Sequence, residues 1–599
     1  MKKGLILILL VIYLLPLAAQ TDKKITILHT NDLHSRLTGF APESEYSPMV
    51  TGNDKTEGGF ARIASVISAE KAADSGTAFV VDAGDFMMGT MFPSLEVKTG
   101  FQLRLMREMG YDVVALGNHE FDFGPEWLAD VIGISARNGE IPSLLFNNAV
   151  FDKKDNRDDE LEKEVADNIL VRKKIIIRDG IRAGFFAILG NSAINNAPKA
   201  APLKFEKQIQ YARRMVKELK AEKCDIIICL SHSGVTLQKN GKWGGEDVVL
   251  AEKVKGIDVI ISGHTHTRLD KPVLVNGILI VQAGEFGKFV GALTLSLSGG
   301  NLKVEGYKLI HVDDKIKGDE KINMLIEEQK ERINKEILLP LGLEYNKKVV
   351  ESSFKIEGND LEDYRNSNLG PLISDAIHYY VNKHNSMGSD VSMVAAGMIF
   401  DRIVPGVQTV PDIFRVMPLG SGNDNIPGYA LSRVYITGRE LKSVIEVLQM
   451  AGNSDAENYC YYSGIRISYN PDKGLFKKVR KVEIVHSDGT IANVSFSKKD
   501  KTLYSVAADS YMLGFIGIIK KKSFGLINVV PKDISGHEIA DMKSAVIDMD
   551  EKLVGIQEGK EWMALIEYLG SMKDTNGDGL PDVDAKYTVP VRTIFRVNN

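Results

Sequence analysis

Short hydrophobic runs alternate with amphipathic segments through residues 24–310. The runs have the length of strands, and they include "KITILHT", "AFVVDAG", "DVVALGN", "DIIICLSH" and "DVIISGH". Between them lie segments with helical spacing of their apolar residues, such as "FARIASVISAEKAA" and "IQYARRMVKELKAEK". Strands that alternate with helices predict an α/β domain built on a layered sheet.

The pattern changes after residue 320. The segment "KINMLIEEQKERINKEILLPL" has helical periodicity until Pro340 and predicts a connecting helix over 321–345. Beyond it, "NLGPLISDAIHYYVN" predicts a helix and "VRKVEIVHSDGTIANVSF" predicts hairpins. We therefore expect a sheet domain over 21–320 and a smaller α+β domain over 346–599.

The first twenty residues, "MKKGLILILLVIYLLPLAAQ", have the layout of a secretory signal peptide. Lys2 and Lys3 precede an apolar run, and Pro16 and small residues to Ala19 follow it. A retained membrane anchor is the alternative, but the run is short for a full span. We predict a signal peptide over 1–20, a periplasmic or secreted protein, and no stable membrane span after its removal.

Composition narrows the class of protein and of partner. The chain has 599 residues, 44% of them hydrophobic and 26% charged, which indicates a folded protein of at least two domains. Its formal charge is −5 and it has no sustained basic block, so no nucleic-acid polymer is expected as a partner. Cys224 and Cys229 are too far apart on one strand to bridge, which leaves at most one disulfide, to Cys460, and favours free thiols.

Five hydrophobic runs of the first domain each end in side chains that can bind a metal. In chain order these side chains are Asp32 and His34, then Asp85, then Asn118, His119 and Asp122, then His232, and finally His264 and His266. One histidine after a strand usually just satisfies a backbone carbonyl. Five such strand ends favour a shared site, because ligands bind beyond the carboxyl ends of strands in open α/β sheets.

The chemistry of this set predicts two metal ions. Nitrogen and oxygen ligands without a thiolate suit Zn or Mn, and there are too many of them for one tetrahedral ion. Two divalent ions about 4 Å apart activate a water and neutralise the oxygens of a phosphoryl group. The sequence therefore predicts the hydrolysis of a small phosphate ester.

The motifs "NDLH", "GD", "GNHEFD", "SHSG" and "GHTH" resemble those of the calcineurin-like metallophosphoesterase domain. The whole layout resembles the bacterial 5′-nucleotidase and UDP-sugar hydrolase family. The resemblance implies hydrolysis of nucleoside 5′-monophosphates or UDP-sugars by a metal-activated water. It also implies two ligand sets, one of Asp32, His34, Asp85 and His266 and the other of Asp85, Asn118, His232 and His264.

The resemblance gives two further residues of "GNHEFD" a catalytic role. His119 would stabilise the transition state or protonate the leaving oxygen, and Asp122 would orient it. A turn or helix-cap residue is the alternative for Asp122. The periplasmic enzymes of the family commonly have Gln at the position of His266, so this histidine is expected to tune the choice of metal.

The second domain keeps only part of the family's substrate site. Arg365 in "RNSNLG" and Tyr511 in "ADSYMLG" match an arginine and an aromatic ring of that site. Ile399 stands at the arginine of the family's "GGGIR", with Arg402 as a displaced substitute, and Leu419 stands at the ring of "PFG". Losing one ring and one arginine weakens nucleotide binding, since each stacked base contributes about 1–3 kcal/mol.

Two alternatives to a nucleotidase follow from these departures. The same metal centre could act on cyclic nucleotides or on a non-nucleotide ester. An exported binding protein that retains the fold without turnover is the alternative outside enzymes, although the complete ligand set argues against it.

The segment "DTNGDGLPD" near the end resembles the loop of calcium-binding motifs. It places polar side chains at alternating positions around Gly579, and these are Asp574, Asn576, Asp578 and Asp582. Ala585 takes the place of the bidentate glutamate of an EF-hand. We predict either one structural calcium ion or a solvated turn.

Overall fold

The computed structural model describes residues 23–41, 45–73, 76–358, 363–514 and 529–598. The predicted signal peptide over 1–20 and the segment "FIGIIKKKSFG" over 515–525 lie outside the described residues. In the part of the chain that is described, no helix has both the length and the apolar character needed to cross a bilayer.

The first region, residues 23–311, contains two large sheets. The first sheet has seven strands, in the spatial order Asn301–His311, Phe289–Ser298, Lys23–Thr30, Thr77–Asp82, Val113–Ala115, Ser143–Leu145 and Leu170–Val171. The second has six, in the order Val273–Val275, Ile278–Val281, Val259–Ser262, Ile226–His232, Ile181–Leu189 and Lys173–Arg178. The strands that precede the predicted ligands run parallel to their sequence neighbours within each sheet.

The two sheets pack face to face because their strands are apolar on both sides. Ile25 and Ile27 point into the core between the sheets, where they join Phe185 and Ile228 of the second sheet. Leu28, on the opposite face of the same strand, packs under the outer helices. Continuous burial of both faces explains the unbroken apolar runs of the sequence.

Helices cover both outer faces of this sandwich. Their bounds are Phe60–Ala73, Glu96–Thr99, Phe101–Glu108, Gly124–Asn138, Asp159–Ala166, Asn191–Asn195, Gln208–Ala221 and Glu246–Lys253. A further helix, Glu320–Ile333, continues through a π turn over Asn334–Leu338 and a 3₁₀ turn over Leu339–Leu341. This stretch coincides with most of the predicted connecting helix, whereas the domain boundaries themselves stay a prediction.

The second region, residues 348–596, is a mixed unit of helices and strands. One four-stranded sheet has the order Leu431–Thr437, Leu503–Asp509, Val391–Ala395 and Cys460–Ser463, and another has Ile491–Asn493, Val479–Val485, Ile465–Tyr469 and Ile594–Arg596. The helices are Leu369–His384, Val410–Phe414, Gly438–Ser454, Ser510–Gly514 and Glu561–Gly570. A small two-stranded sheet pairs Lys348–Ser352 with Gly406–Thr409. The predicted fold class, a layered sheet domain followed by a smaller α+β domain, is confirmed.

Candidate metal centre

The strand ends of the first region bring the predicted ligands together at one edge of the sandwich. Their ligand atoms form three overlapping groups, within each of which all atoms lie within 4.8 Å of one another. The groups are Asp32, His34 and His266; Asp85, His232 and His264; and His34, Asp85 and His119. Asp85 and His34 each belong to two groups, and the described residues form no further group of at least three His, Cys, Asp or Glu ligands.

Left-handed backbone at the strand ends turns these side chains toward each other. The φ angles are 52° at Asp32, 49° at His34, 56° at Asp85, 75° at His264 and 52° at His266. Each costs roughly 1–2 kcal/mol for a residue with a side chain. Strain of this kind persists only where surrounding bonds fix it, and it concentrates at functional sites.

Backbone hydrogen bonds across the site hold that conformation. The N–H of Asp32 donates to the carbonyl of Gly84 at 3.0 Å, and the N–H of His34 donates to that of Asp85 at 2.9 Å. The N–H of His264 donates to Asp32 Oδ1 at 3.0 Å. The three strand ends are therefore tied to each other before any ion is considered.

A buried amide oxygen and a histidine–carboxylate contact in this cluster fit divalent cations. Asn118 Oδ1 is buried without a hydrogen-bond partner among the described residues. His232 Nδ1 donates to the carbonyl of Ala83 at 3.0 Å, which directs the other nitrogen, Nε2, toward Asp85 Oδ2 at 2.9 Å. A buried ring nitrogen aimed at a carboxylate is the donor arrangement that a bound cation satisfies.

Charge is finely balanced around Asp85. Burial opposes ionisation of Asp85, but His232 and His119 hold the pKa of its carboxyl well below the usual range. Burial likewise lowers the pKa of His232, and the carboxylates of Asp85 and Asp32 outweigh it and raise that pKa to about 9. Protons that the site holds on histidine are those that cations displace on binding.

His119 and Asp122 form a pair beside the ligands. A 3₁₀ turn over His119–Phe121 places the two side chains three residues apart on one side, with His119 Nδ1 2.7 Å from Asp122 Oδ2. The backbone N–H of His119 donates to Asp85 Oδ1 at 2.8 Å. Burial lowers the pKa of His119, but Asp122 and Asp85 outweigh it and raise the pKa to about 10.

Two buried carboxyl groups to which no role was predicted support the backbone of the site. Glu120 accepts hydrogen bonds from the N–H groups of Asp85 and Gly117, at 3.0 and 2.6 Å. Asp247 accepts from the hydroxyls of Ser231 and Ser262, each at 2.6 Å. Those serines immediately precede His232 and the "GHTH" segment, so Asp247 joins the ends of two ligand-bearing strands.

Glu285 is a further residue that the motifs miss. Its Oε2 lies 2.7 Å from His266 Nδ1, and its Oε1 accepts a bond from Lys288 Nζ at 2.7 Å. The Nε2 atoms of His266 and His34 lie 3.1 Å apart, so both rings direct the same nitrogen inward. Glu285 follows the apolar strand Ile278–Val281, and that strand end is the signal that could have found it.

Replacing Glu285 with glutamine is expected to weaken metal binding 10- to 100-fold. The carboxylate accepts the Nδ1 proton of His266 and so raises the basicity of Nε2, and outer-shell partners of this kind have effects of that size. Titration of the metal-free protein with Zn²⁺ or Mn²⁺ in a calorimeter measures the change. Lys288→Gln is the matched control, since it keeps the carboxylate; equal loss in both variants would contradict the role.

The predicted substrate residues of the second region lie in different surroundings. Arg365 is exposed, and its Nε donates to Asp363 at 2.8 Å; it borders a cavity of 360 Å³ that contains none of the predicted metal ligands. Ile399 is buried in the core, and Arg402 follows it in partly buried surroundings. Tyr511 stacks on Tyr429, with the ring centroids 5.2 Å apart.

The loop over 574–582 is held by its own hydrogen bonds. Asp574 accepts from the N–H groups of Gly577 and Gly579, and Asp582 accepts from that of Thr575. Asn576 and Asp578 are exposed in the same turn. The calcium site stays a prediction.

Comparisons with known proteins agree with this geometry. Residues 25–268 match the family model of the calcineurin-like phosphoesterases, and residues 349–520 match that of the 5′-nucleotidase C-terminal domain. The chain is 28% identical over 522 residues to the apyrase of Aedes albopictus, covering 82% of this chain and 83% of the apyrase. It is 27% identical over 484 residues to a 5′-nucleotidase of Vibrio vulnificus, covering 75% and 80%.

The fold matches that of a solved structure over almost the whole chain. The crystal structure of a 5′-nucleotidase precursor from Thermus thermophilus aligns with a TM-score of 0.65 at 21% sequence identity. The alignment covers 96% of this chain and 100% of that one. The likeness shows that the two proteins share both regions of the fold.

Proposed function

We propose that this chain, which belongs to the calcineurin-like phosphoesterase family and carries a 5′-nucleotidase C-terminal domain, hydrolyses nucleoside 5′-monophosphates or UDP-sugars outside the cytoplasm. As a member of that family it is a metal-dependent phosphoric ester hydrolase. The observation that carries the proposal is the position of Asp85, whose carboxylate lies within 4.8 Å of His232 and His264 in one group and of His34 in another, and which also accepts the backbone N–H of His119.

The predicted ligand residues would divide between two divalent cations. Asp32, His34, Asp85 and His266 would hold one, and Asp85, Asn118, His232 and His264 would hold the other, with Asp85 shared. The buried, unpartnered Asn118 Oδ1 and the 2.9 Å contact between His232 Nε2 and Asp85 Oδ2 support this division. When bound, the two cations supply an activated water and a counter-charge for the phosphoryl oxygens.

The residues of the chain supply the rest of the chemistry. Asp122 and Asp85 raise the pKa of His119, which favours the protonated ring, and a protonated His119 would donate to the leaving oxygen. Asp122 accepts the Nδ1 proton and turns Nε2 toward the site. Left-handed backbone at the ligands fixes the geometry in advance, which removes the cost of reorganisation during the reaction.

Export and substrate class are proposed on separate grounds. The predicted signal peptide over 1–20 supports export, and the mature protein would then be periplasmic or secreted. The names of the relatives, an apyrase and a 5′-nucleotidase, support a nucleotide substrate. Arg365, Arg402 and Tyr511 remain the proposed contacts to that substrate.

A phosphate-release panel on the metal-loaded protein tests the proposal. We expect AMP or a UDP-sugar to be hydrolysed faster than cyclic nucleotides and sugar phosphates, and we expect EDTA to abolish release and Mn²⁺ or Zn²⁺ to restore it. Hydrolysis confined to a non-nucleotide ester would reject the nucleotide assignment and keep the metal centre. Uniformly negative results with loaded metal would favour a binding protein.

A further inference from the structure

A loop of the second region reaches the metal centre and presents an aromatic ring to it. The ring centroid of Phe400 lies 5.2 Å from that of His34 and 6.0 Å from that of His119, and both contacts are edge-to-face. Phe286, from the first region, also contacts His34, at 5.5 Å. The Phe400 ring therefore lines the space beside His119, the proposed proton donor.

Several interactions fix Phe400 in this position. Its N–H donates to the carbonyl of Val416 at 2.9 Å. The next residue, Asp401, forms a buried ion pair with Arg36 of the first region, and Arg415 Nε lies 3.4 Å from the same carboxylate. The loop is thus anchored across the two regions directly beside the ring.

The first region leaves room for the ring. A Cβ at Gly89 would lie 2.8 Å from Phe400 Cε1 and 2.9 Å from the carbonyl oxygen of His34. Gly89 also has a φ of +112°, which disfavours a side chain. The Phe400 ring can therefore pack against the backbone beside His34 only because residue 89 has no side chain.

This arrangement exchanges a charge for an apolar surface. Ile399, at the position where the resemblance expects an arginine, is buried in the core, and Phe400 faces the site instead. A guanidinium there would attract an anionic leaving group. A phenyl ring makes no hydrogen bond, so burying a second phosphate against it is unfavourable.

We propose that Phe400 is a specificity-determining residue that contacts the leaving group and selects uncharged groups with a flat apolar face near the ester oxygen. The proposal rests on the proposed phosphoesterase function and refines its substrate class. It favours phosphate monoesters of aryl or nucleoside alcohols over substrates whose leaving group carries a second phosphate, such as nucleoside diphosphates and UDP-sugars, and so narrows the proposed function to monophosphates.

The test compares paired substrates in Phe400→Ala and wild type, both metal-loaded. Phenyl phosphate and methyl phosphate differ in the apolar face and in the acidity of the leaving alcohol. Because the difference in acidity is the same for both enzymes, the change in the ratio of their kcat/KM values between them reports on the contact. We expect the ratio to fall about tenfold in Phe400→Ala, the size of a lost aromatic contact together with its buried area. Hydrolysis of ADP is expected to fall less than twofold or to rise.

Phe151→Ala is the matched control, because it removes a partly buried ring that stacks on Phe146 and forms no described ring pair with His34, His119 or Phe400. We expect it to leave the phenyl-to-methyl ratio within twofold of wild type. Phe400→Leu keeps apolar volume and is expected to restore part of the ratio. An unchanged ratio in Phe400→Ala, or faster phenyl phosphate hydrolysis, would overturn the proposal.

Binding of inert analogues separates this proposal from the proposed function. Benzylphosphonate and ethylphosphonate place a methylene where the ester oxygen would be, and their affinities are measured by calorimetry without turnover. Wild type is expected to prefer benzylphosphonate and Phe400→Ala to lose about tenfold of that preference. If wild type hydrolyses no ester but Phe400→Ala still loses the preference for benzylphosphonate, the proposed function is rejected and the contact is kept. If Phe400→Ala keeps the preference of wild type, the contact is rejected.

Discussion

Replacing His119 with alanine is expected to lower the turnover of phosphate ester hydrolysis by about 10²- to 10⁴-fold, the usual contribution of a positioned general acid. The metal content should stay at the wild-type value. His119 is one of the groups within 4.8 Å of Asp85, but its Nδ1 is engaged by Asp122, and the predicted ligand sets are complete without it.

Metal analysis of the purified variant distinguishes proton donation from ligation. A loss of metal in parallel with activity would assign His119 to the metal and contradict the proposed role. A second comparison uses substrates with different leaving groups: esters of acidic alcohols, such as 4-nitrophenyl phosphate, need less protonation of the leaving oxygen. The His119→Ala variant should therefore lose less activity on 4-nitrophenyl phosphate than on methyl phosphate.

The pH profile of Asp122→Asn is a further check on the same pair. The acid must be protonated, so activity is present below the pKa of His119 and is lost as the pH rises through it. Among the groups that raise the pKa of His119 to about 10, the Asp122 carboxylate has the largest effect. Removing the carboxylate lowers it, and the alkaline limb of kcat/KM should move to lower pH. An unmoved limb would contradict the assignment.

The sequence could predict the parts of the site that local patterns encode. Each ligand follows an apolar run, and the burial of both strand faces forces the runs into two packed sheets whose parallel strands end at one edge. Asp32 and His34 are predictable in this way, because a carboxylate and an imidazole two residues apart after a strand carry their own signal. The pair of His119 and Asp122, three residues apart, is predictable only through the resemblance that "GNHEFD" carries.

Contacts between distant segments lie beyond such patterns. Glu285 reaches His266 only because both turns leave the second sheet side by side, and no motif marks that carboxylate. Phe400 reaches His34 only through the packing of the second region on the first, which a buried ion pair of Arg36 and Asp401 helps to fix. Which residues bind the same ion likewise depends on how the strand ends lie relative to each other in the folded chain.

The second region illustrates the same limit. Leu419 removes a ring that the resemblance leads one to expect, yet the backbone N–H of Tyr429 donates to the carbonyl of Leu419 at 3.1 Å and places another ring close by. That ring stacks on Tyr511 with an interplanar angle of 16°. Because hairpin pairing decides which side chain stands beside Leu419, the motif alone does not reveal the substitute.

Replacing Asp85 with asparagine is expected to have the largest effect on the metal centre. The carboxylate lies 2.9 Å from His232 Nε2, accepts the N–H of His119 at 2.8 Å and belongs to two ligand groups. An amide is neutral and cannot give an oxygen to each of two cations. We expect at most one ion per chain and a loss of activity beyond the 10- to 100-fold typical of an outer-shell change.

Asp82→Asn is the matched control for this substitution. Asp82 is also fully buried, at the end of the same strand, and accepts from Thr30 Oγ1 at 2.6 Å and from the N–H of Gly84 at 2.9 Å. It belongs to none of the ligand groups. Asparagine can keep the bond from Gly84, so this variant should retain two ions.

Thermal unfolding gives a readout that does not depend on turnover. A ligand that binds only the folded state raises its stability by RT ln(1 + [L]/Kd), so EDTA should lower the Tm of wild type and of Asp82→Asn. In Asp85→Asn the Tm should respond weakly to EDTA, because little bound metal remains to be removed. If Asp85→Asn instead kept two ions and a Tm as sensitive to EDTA as that of wild type, the carboxylate would not be the shared ligand, and the division of the site between two cations would have to be redrawn around Asp32.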